Sequence, residues 1–390
     1  MVEEIKIAKG YKQTEVGVIP EDWEIDEIHN VAEITTGAKN TQDRIDGGKY
    51  PFFVRSQTIE KINSFSFDGE AVLTAGDGVG TGKVFHYING KFDYHQRVYK
   101  VSNFSNRLNG YFFFKYFSTH FYNRIMQMTA KSSVDSVRRD MIAEMLIPLP
   151  PTKAEQTAIA TALSNMDGLI DGLEKQLIKK RNIKQGAMQE LLKPKEGWVE
   201  KNLGEIAEIR DGTHQTPRYV RQGVPFYSVE NITANDFTNV KMISNQEHTL
   251  LTKNWKIAKG DILMTRIGSI GVCKYIDWDV NASFYVSLAL LKVNKDYSAK
   301  FICHYSQYEY FKKNIILNSL QFAYPQKINL GEISKVKLII PETIEEQIRL
   351  AQILSDMDSE IEKLETQLSK YKMIKTGMMQ ELLTGKKRLI

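Results

Sequence analysis

Cysteine is nearly absent from this chain: Cys273 and Cys303 are the only two among 390 residues. Two cysteines cannot frame a disulfide-rich fold, and no Cys/His spacing has the pattern of a zinc site, so no bound metal is expected. No apolar run is long enough to span a bilayer. The first residues, Met1-Val2-Glu3-Glu4-Ile5-Lys6, are charged and polar, unlike a secretory signal. These absences predict a cytoplasmic protein. Motifs of catalysis are missing as well. The glycine-rich stretch 76–83 fails as a P-loop, because Asp77 stands where the first glycine is required and Val84 where Ser or Thr must follow Gly82-Lys83. The one Pro-Pro, Pro150-Pro151, is followed by Thr152, so the Asn/Asp-Pro-Pro-aromatic tetrad of amino-group methylation is excluded. No Pro-Asp dipeptide opens a nuclease carboxylate motif, and no Gly-x-Ser-x-Gly elbow, HExxH or kinase signature occurs. The chain reads as one with no catalytic centre of its own.

What is present is duplication. Residues 155–192 recur at 346–383 without a gap, with identities that include Glu155/Glu346, Gln156/Gln347, Leu163/Leu354, Met166/Met357, Asp167/Asp358 and Gly186/Gly377. Both copies carry an apolar seam in alternating steps of three and four: Leu163, Met166, Ile170, Leu173, Leu177 and Leu191 in the first, and Leu354, Met357, Ile361, Leu364, Leu368, Tyr371, Met378 and Leu382 in the second, which misses a step at Lys375. Each is a helical rod of roughly 57 Å at about 1.5 Å per residue. Thr152 and Thr343 are candidate caps, while Lys193-Pro194 and Thr384-Gly385 end the rods. A single seam cannot be buried alone, so the two rods are expected to pack on each other. A dimerisation coiled coil is the competing reading.

The segments before the rods are duplicated too. The stretch from Trp23 through Ile28, Val31, Ala32, Glu33 and Ile34 to Gly37 matches Trp198 through Leu203, Ile206, Ala207, Glu208 and Ile209 to Gly212. Each then reaches a short apolar strand, 50–54 and 224–228, and a glycine-rich turn, 76–82 and 266–271. Runs 83–88, 98–101 and 284–293 read as strands, and the aromatic-rich runs 111–122 and 301–311 as helices on a sheet. The expectation is an α+β fold with an internal pseudo-two-fold repeat: globular unit 1–151, helical region 152–194, globular unit 195–341 and helical region 342–390. A composition of 42% hydrophobic and 25% charged residues fits a soluble multidomain protein, and a net charge of +5 is compatible with nucleic acid.

Several ordered motifs resemble the specificity (S) subunits of type I restriction-modification enzymes. They are Gly17-Val18-Ile19-Pro20-Glu21-Asp22-Trp23, Ile147-Pro148-Leu149-Pro150-Pro151 leading to Glu155-Gln156, and Gln189-Glu190-Leu191-Leu192. The glycine stretch 76–83 with Phe92-Asp93-Tyr94-His95-Gln96-Arg97, and Asp211-Gly212-Thr213-His214-Gln215-Thr216-Pro217, complete the set. The resemblance covers essentially the whole chain. It implies two target-recognition domains alternating with two long helices paired as an antiparallel coiled coil. It further implies that the chain binds a bipartite double-stranded DNA target with a fixed spacer and positions two methyltransferase (M) subunits, with restriction (R) subunits in complexes that carry them. S-adenosylmethionine, ATP and Mg would be used by those partners, and this chain would bind no cofactor. The rival functions are a coiled-coil scaffold that does not bind DNA, and an enzyme with an unfamiliar site.

Base edges are read best by Arg, Lys, Asn, Gln, Ser and Thr on loops, and phosphates are held by Lys, Arg and small hydroxyls. On that basis the candidate DNA-binding residues of the first unit are Arg44, Arg55, Gln57, Lys83, His95, Gln96, Arg97, Lys131, Arg138 and Arg139. Those of the second are His214, Gln215, Thr216, Arg218, Tyr219, Arg221, Asn231, Arg266, Ser269, Tyr324, Gln326 and Lys327. For each the alternative is a solvated surface side chain. No catalytic residue is assigned.

Overall fold

The computed structural model describes residues 7–128 and 136–389. Packing groups Met1–Glu174 with Thr366–Ile390 as one unit and Lys175–Glu365 as the other. The rods are single helices, Lys153–Leu191 and Ile344–Leu382, and the division falls inside both, so each unit holds one half of each rod. Thr152 caps the first rod, its hydroxyl accepting from the Glu155 N–H at 3.2 Å.

Within each unit the rod halves run antiparallel. Leu163, Ile170 and Leu173 are buried in the first unit, and Leu177 and Leu354 in the second. The steps at which the seam fails are lysines, and they cross to the other rod. Lys375 meets Asp167 at 2.6 Å in the first unit. Lys184 meets Asp358 in the second, where Lys180 also meets Glu360 at 2.5 Å. Asp167 and Asp358 are repeat equivalents, as are Lys184 and Lys375, so the same pair is made twice.

The globular parts share one frame. In the first unit a six-stranded sheet runs Glu33–Thr36, Val98–Ser102, Phe67–Ala75, Phe85–Tyr94, Tyr50–Phe53, Glu60–Ile62. All neighbours are antiparallel except Tyr50–Phe53 against Phe85–Tyr94. The second unit has Ala207–Asp211, Leu288–Val293, Ile262–Thr265 and Cys273–Tyr275 in one sheet. A second sheet holds Tyr219–Val220, Lys241–Ile243, Val224–Tyr227 and Ser283–Phe284. The two arrangements differ in two ways: the second unit has an added edge strand, Tyr219–Val220, and the long strand Phe85–Tyr94 corresponds to two short ones, Cys273–Tyr275 and Ser283–Phe284, separated by a loop containing Asp277, Trp278 and Asp279. The run 284–293 is likewise two strands, broken at 285–287, and the run 301–311 contains two helices, Ala299–Tyr305 and Glu309–Leu317. The helix Gly110–Met128 of the first unit is continuous and buries Phe112, Phe113, Phe117 and Phe121.

Each globular part is tied to its rod by the same buried glutamine. Gln156 accepts from the Asn109 N–H at 2.7 Å and donates to the carbonyls of Arg107 and Pro150. Gln347 accepts from the Ser298 N–H at 2.9 Å and donates to the Pro341 carbonyl. Both are fully buried. In the first unit Lys115 also reaches Asp167 from the helix Gly110–Met128, so one carboxylate serves two cations.

Burial opposes ionisation of Asp167, but the Lys115 and Lys375 ammonium groups overcome it and hold the carboxyl below its ordinary value. Its contribution to stability is present in full above the ordinary value near 3.8 and is lost as the pH falls through the lowered folded value. Asp167→Asn should cost about 1–3 kcal/mol by leaving Lys115 with an uncompensated charge. Thermal melts at neutral pH should show the loss, and the gap between variant and wild type should close in acid. A gap that persists unchanged below the folded value would contradict the ion-pair account.

Candidate nucleic-acid interface

At one end of the first sheet, five separate segments are stitched by main-chain bonds. His95 N–H donates to Phe53 O and Gln96 N–H to Lys39 O, each at 2.9 Å; Gly76 N–H donates to Arg97 O at 2.8 Å, and Val137 N–H to Gly76 O at 2.7 Å. Gly37 makes the first crossing possible: a Cβ there would lie 2.0 Å from the Tyr94 carbonyl oxygen. On this platform Asp77 gathers two guanidiniums, Arg55 at 2.7 Å and Arg97 at 2.5 Å. Partial burial opposes its ionisation, but the two arginines prevail and hold the carboxyl low. His95 is buried; its Nδ1 accepts from the Arg97 N–H at 3.0 Å, and burial, then the Arg55 charge, pushes its pKa down. Gln96 donates to the Asn40 side chain at 2.6 Å.

The structure thus brings Arg55, His95, Gln96 and Arg97 together, with Gln57 exposed two residues beyond Arg55. Arg138 and Arg139 are exposed beside Val137. Lys83 is exposed in the glycine turn, its ammonium 5.7 Å from the Tyr122 ring centroid. Arg44 instead pairs with Glu60 at 3.6 Å. Lys131 lies outside the described residues. Asp77 was not among the candidates, although a carboxylate between two glycines in a basic neighbourhood is a signal for it.

The second unit repeats the stitching with other side chains. Tyr285 N–H donates to Tyr227 O, Val286 N–H to Thr213 O, Arg266 N–H to Ser287 O and Ile328 N–H to Arg266 O, all within 3.0 Å. Gly212 takes the role of Gly37, with a Cβ 2.2 Å from the Phe284 carbonyl. Arg266 stands where Gly76 stands. Its guanidinium turns inward, to the Ile328 carbonyl at 3.3 Å and Asp211 at 3.4 Å. Asp211 also holds the exposed His214, at 2.6 Å.

Gln215, Thr216, Arg218, Tyr219 and Arg221 follow as an exposed run interrupted by the buried Pro217 and half-buried Val220. The Arg218 N–H donates to Glu247 at 3.4 Å, and Lys241 lies 5.1 Å from the Tyr219 ring centroid. Asn231 is used internally: it accepts from the Ser228 N–H at 2.9 Å and donates to the Asp236 carbonyl at 3.1 Å. Ser269 is exposed at the tip of the glycine turn, and Tyr324 is fully exposed. Gln326 donates to Ser319 at 3.3 Å and its carbonyl accepts from Gly268, while Lys327 bridges to Ile267 and Leu320.

These clusters offer cations, amides and hydroxyls, the groups that hold phosphates and base edges. Among the described residues no group of three or more His, Cys, Asp or Glu is arranged to hold a metal. One constellation does imitate a hydrolase. His304 Nε2 lies 2.9 Å from the Ser355 hydroxyl and its Nδ1 3.8 Å from Asp358. The chemistry runs the wrong way. Ser355 donates its proton to the Ala351 carbonyl at 2.6 Å, so His304 must donate to Ser355 and leave Nδ1 bare. A serine base needs the opposite tautomer. Burial, moreover, pushes His304 down to about 4.

Arg55 and Arg97 are substantially exposed, so their pairs with Asp77 add little to folding. Asp77→Ala should change global stability by less than about 1 kcal/mol. A melting temperature that collapses in this variant would make the cluster a structural one.

A family model described as the type I restriction modification DNA specificity domain matches residues 20–181 and again 195–370. The EcoDI specificity subunit of Escherichia coli is 27% identical over 161 residues, 41% of this chain and 35% of that one, so the match spans about a third of the relative's length. The MjaVIII specificity subunit of Methanocaldococcus jannaschii is 24% identical over 95% of this chain and 94% of its own. Among solved structures, the type I restriction-modification S subunit from M. genitalium shares the fold, with a TM-score of 0.67 at 17% identity, over 97% of this chain and 98% of that one. No helix among the described residues is long and apolar enough to cross a membrane. With both of its halves matched, the chain belongs to the type I restriction-modification DNA specificity family.

Proposed function

We propose that this chain is the non-catalytic sequence-recognition subunit of a type I restriction-modification complex, and that each unit reads one half of a split double-stranded DNA site. The observation that carries this reading is one loop platform built twice with different side chains upon it. Arg55, Asp77 and Arg97 occupy the first; Asp211, His214 and the inward Arg266 occupy the second. A shared frame with divergent contact groups is what reading two different half-sequences requires. Two half-sites on one face of B-DNA lie about one turn, roughly 34 Å, apart. Two rods of 39 residues, locked by paired lysines, suit a fixed unread spacer between them.

Two M subunits would dock on rod faces outside the seam, where Ile178 and Met373 are exposed. They would carry S-adenosylmethionine and methylate adenine. R subunits, in complexes that have them, would bring ATP- and Mg-dependent translocation and cleavage. The chain itself would act in the cytoplasm and bind no cofactor.

Replacing residues 40–145 with the corresponding part of a homologue should alter one half of the recognised sequence and leave the other half and the gap unchanged. Selection of bound duplexes from a randomised pool reads this directly. A change in both halves would contradict modular reading.

A further inference from the structure

Phe322 and Tyr324 are fully exposed, at 103% and 102% of the reference residue area. They sit at the tip of a self-bonded loop. Leu320 N–H donates to Lys327 O at 2.8 Å and Ala323 N–H to Leu320 O at 3.1 Å, while Gln326 donates to Ser319. The base of this loop is fastened to the second unit's glycine turn by Gly268 N–H to the Gln326 carbonyl at 2.8 Å and by the Ile267–Lys327 bridge. The two rings are therefore presented from the same end as His214 and Ser269, on a loop with a fixed base. Among the described residues, neither ring is in contact with another aromatic ring or with a cation.

The chemistry around the rings selects the occupant. The stretch Asn318-Ser319-Leu320-Gln321-Phe322-Ala323-Tyr324-Pro325-Gln326-Lys327 contains no carboxylate, and Lys312 and Lys313 precede it. An aromatic tip without negative charge, flanked by amides and lysines, suits a stacked and polyanionic partner. Apolar side chains pushed between base pairs unstack a step and kink the duplex, and base–aromatic stacking tolerates any sequence because every base offers a π-face.

We propose that Phe322, seconded by Tyr324, is a wedge that enters one base step of the DNA held by the second unit and unstacks it. This rests on the DNA-recognition reading above. The second unit would then read its half-site partly through how readily that step deforms, as well as through base edges.

The test uses the complex of this chain with its methyltransferase subunits, without S-adenosylmethionine. The duplexes carry the selected split site, with 2-aminopurine placed at successive positions in and beside the second half-site. Positions of the methylated adenines are left out, because the methyltransferase itself would extrude those bases. Wild type should raise the fluorescence at one step; Phe322→Ala should abolish that rise and weaken binding on the order of tenfold, and Phe322→Trp should keep the rise. The melting temperature of Phe322→Ala should match wild type, since the ring packs on nothing. Specific binding with no fluorescence rise at any position overturns the wedge and leaves the DNA reading intact. Loss of copurifying methyltransferase in Phe322→Ala overturns it in favour of a protein contact. Failure of wild type to bind any split site overturns both.

Discussion

The carboxylates Asp167 and Asp358 set the register on which the rest of this structure depends. Each sits on a rod whose seam would accept several alignments by hydrophobicity alone. A lysine placed in the seam of the opposite rod narrows that freedom, because half-burying it away from a carboxylate is costly and the observed alignment brings it to one. The repeat makes the device twice, and the third member differs. Lys115 completes it in the first unit, whereas in the second the neutral His304 lies 3.8 Å from Asp358 and leans on Ser355 instead.

With the rods locked, the buried glutamines Gln156 and Gln347 carry the constraint into the globular parts. From there the sheets deliver loops to a common platform whose main-chain bonds are nearly the same in both units. The glycines at its crossing, Gly37 and Gly212, are required by close approach of backbone, not by an unusual φ. The crossings that the two platforms share are main-chain bonds and glycines, so most side chains on them are free to differ. That separation of frame from contact groups is what the proposed reading of two half-sites on one scaffold would need.

The rods, the duplication and the existence of a sheet with aromatic helices were legible because periodicity and internal repetition report packing directly. The seam lysines were visible only as misses in the pattern. Their purpose depends on a partner in the other copy, about 170–210 residues away along the chain. The strand read over 83–88 starts at Phe85 and continues to Tyr94, since Gly90 stays paired with Gly69 of the strand Phe67–Ala75 and does not end it. Asp77 was legible as a failed P-loop residue and not as an arginine clamp, because Arg55 and Arg97 converge on it only through sheet topology. Asn231 and Arg266 show the limit of choosing contacts by residue type. Both carry the right groups, and both spend them inside the loop. Phe322 carries no polar group at all, so its residue type gives no sign of a contact with base edges or phosphates.

Reading of one site by two units, each taking one half, is tested most directly in cells. Co-expression of this chain with its methyltransferase partner, followed by single-molecule mapping of modified adenines, should yield a split motif with a constant gap that is absent when the methyltransferase is expressed alone. A contiguous motif, or no motif from a stable copurifying complex, would contradict it.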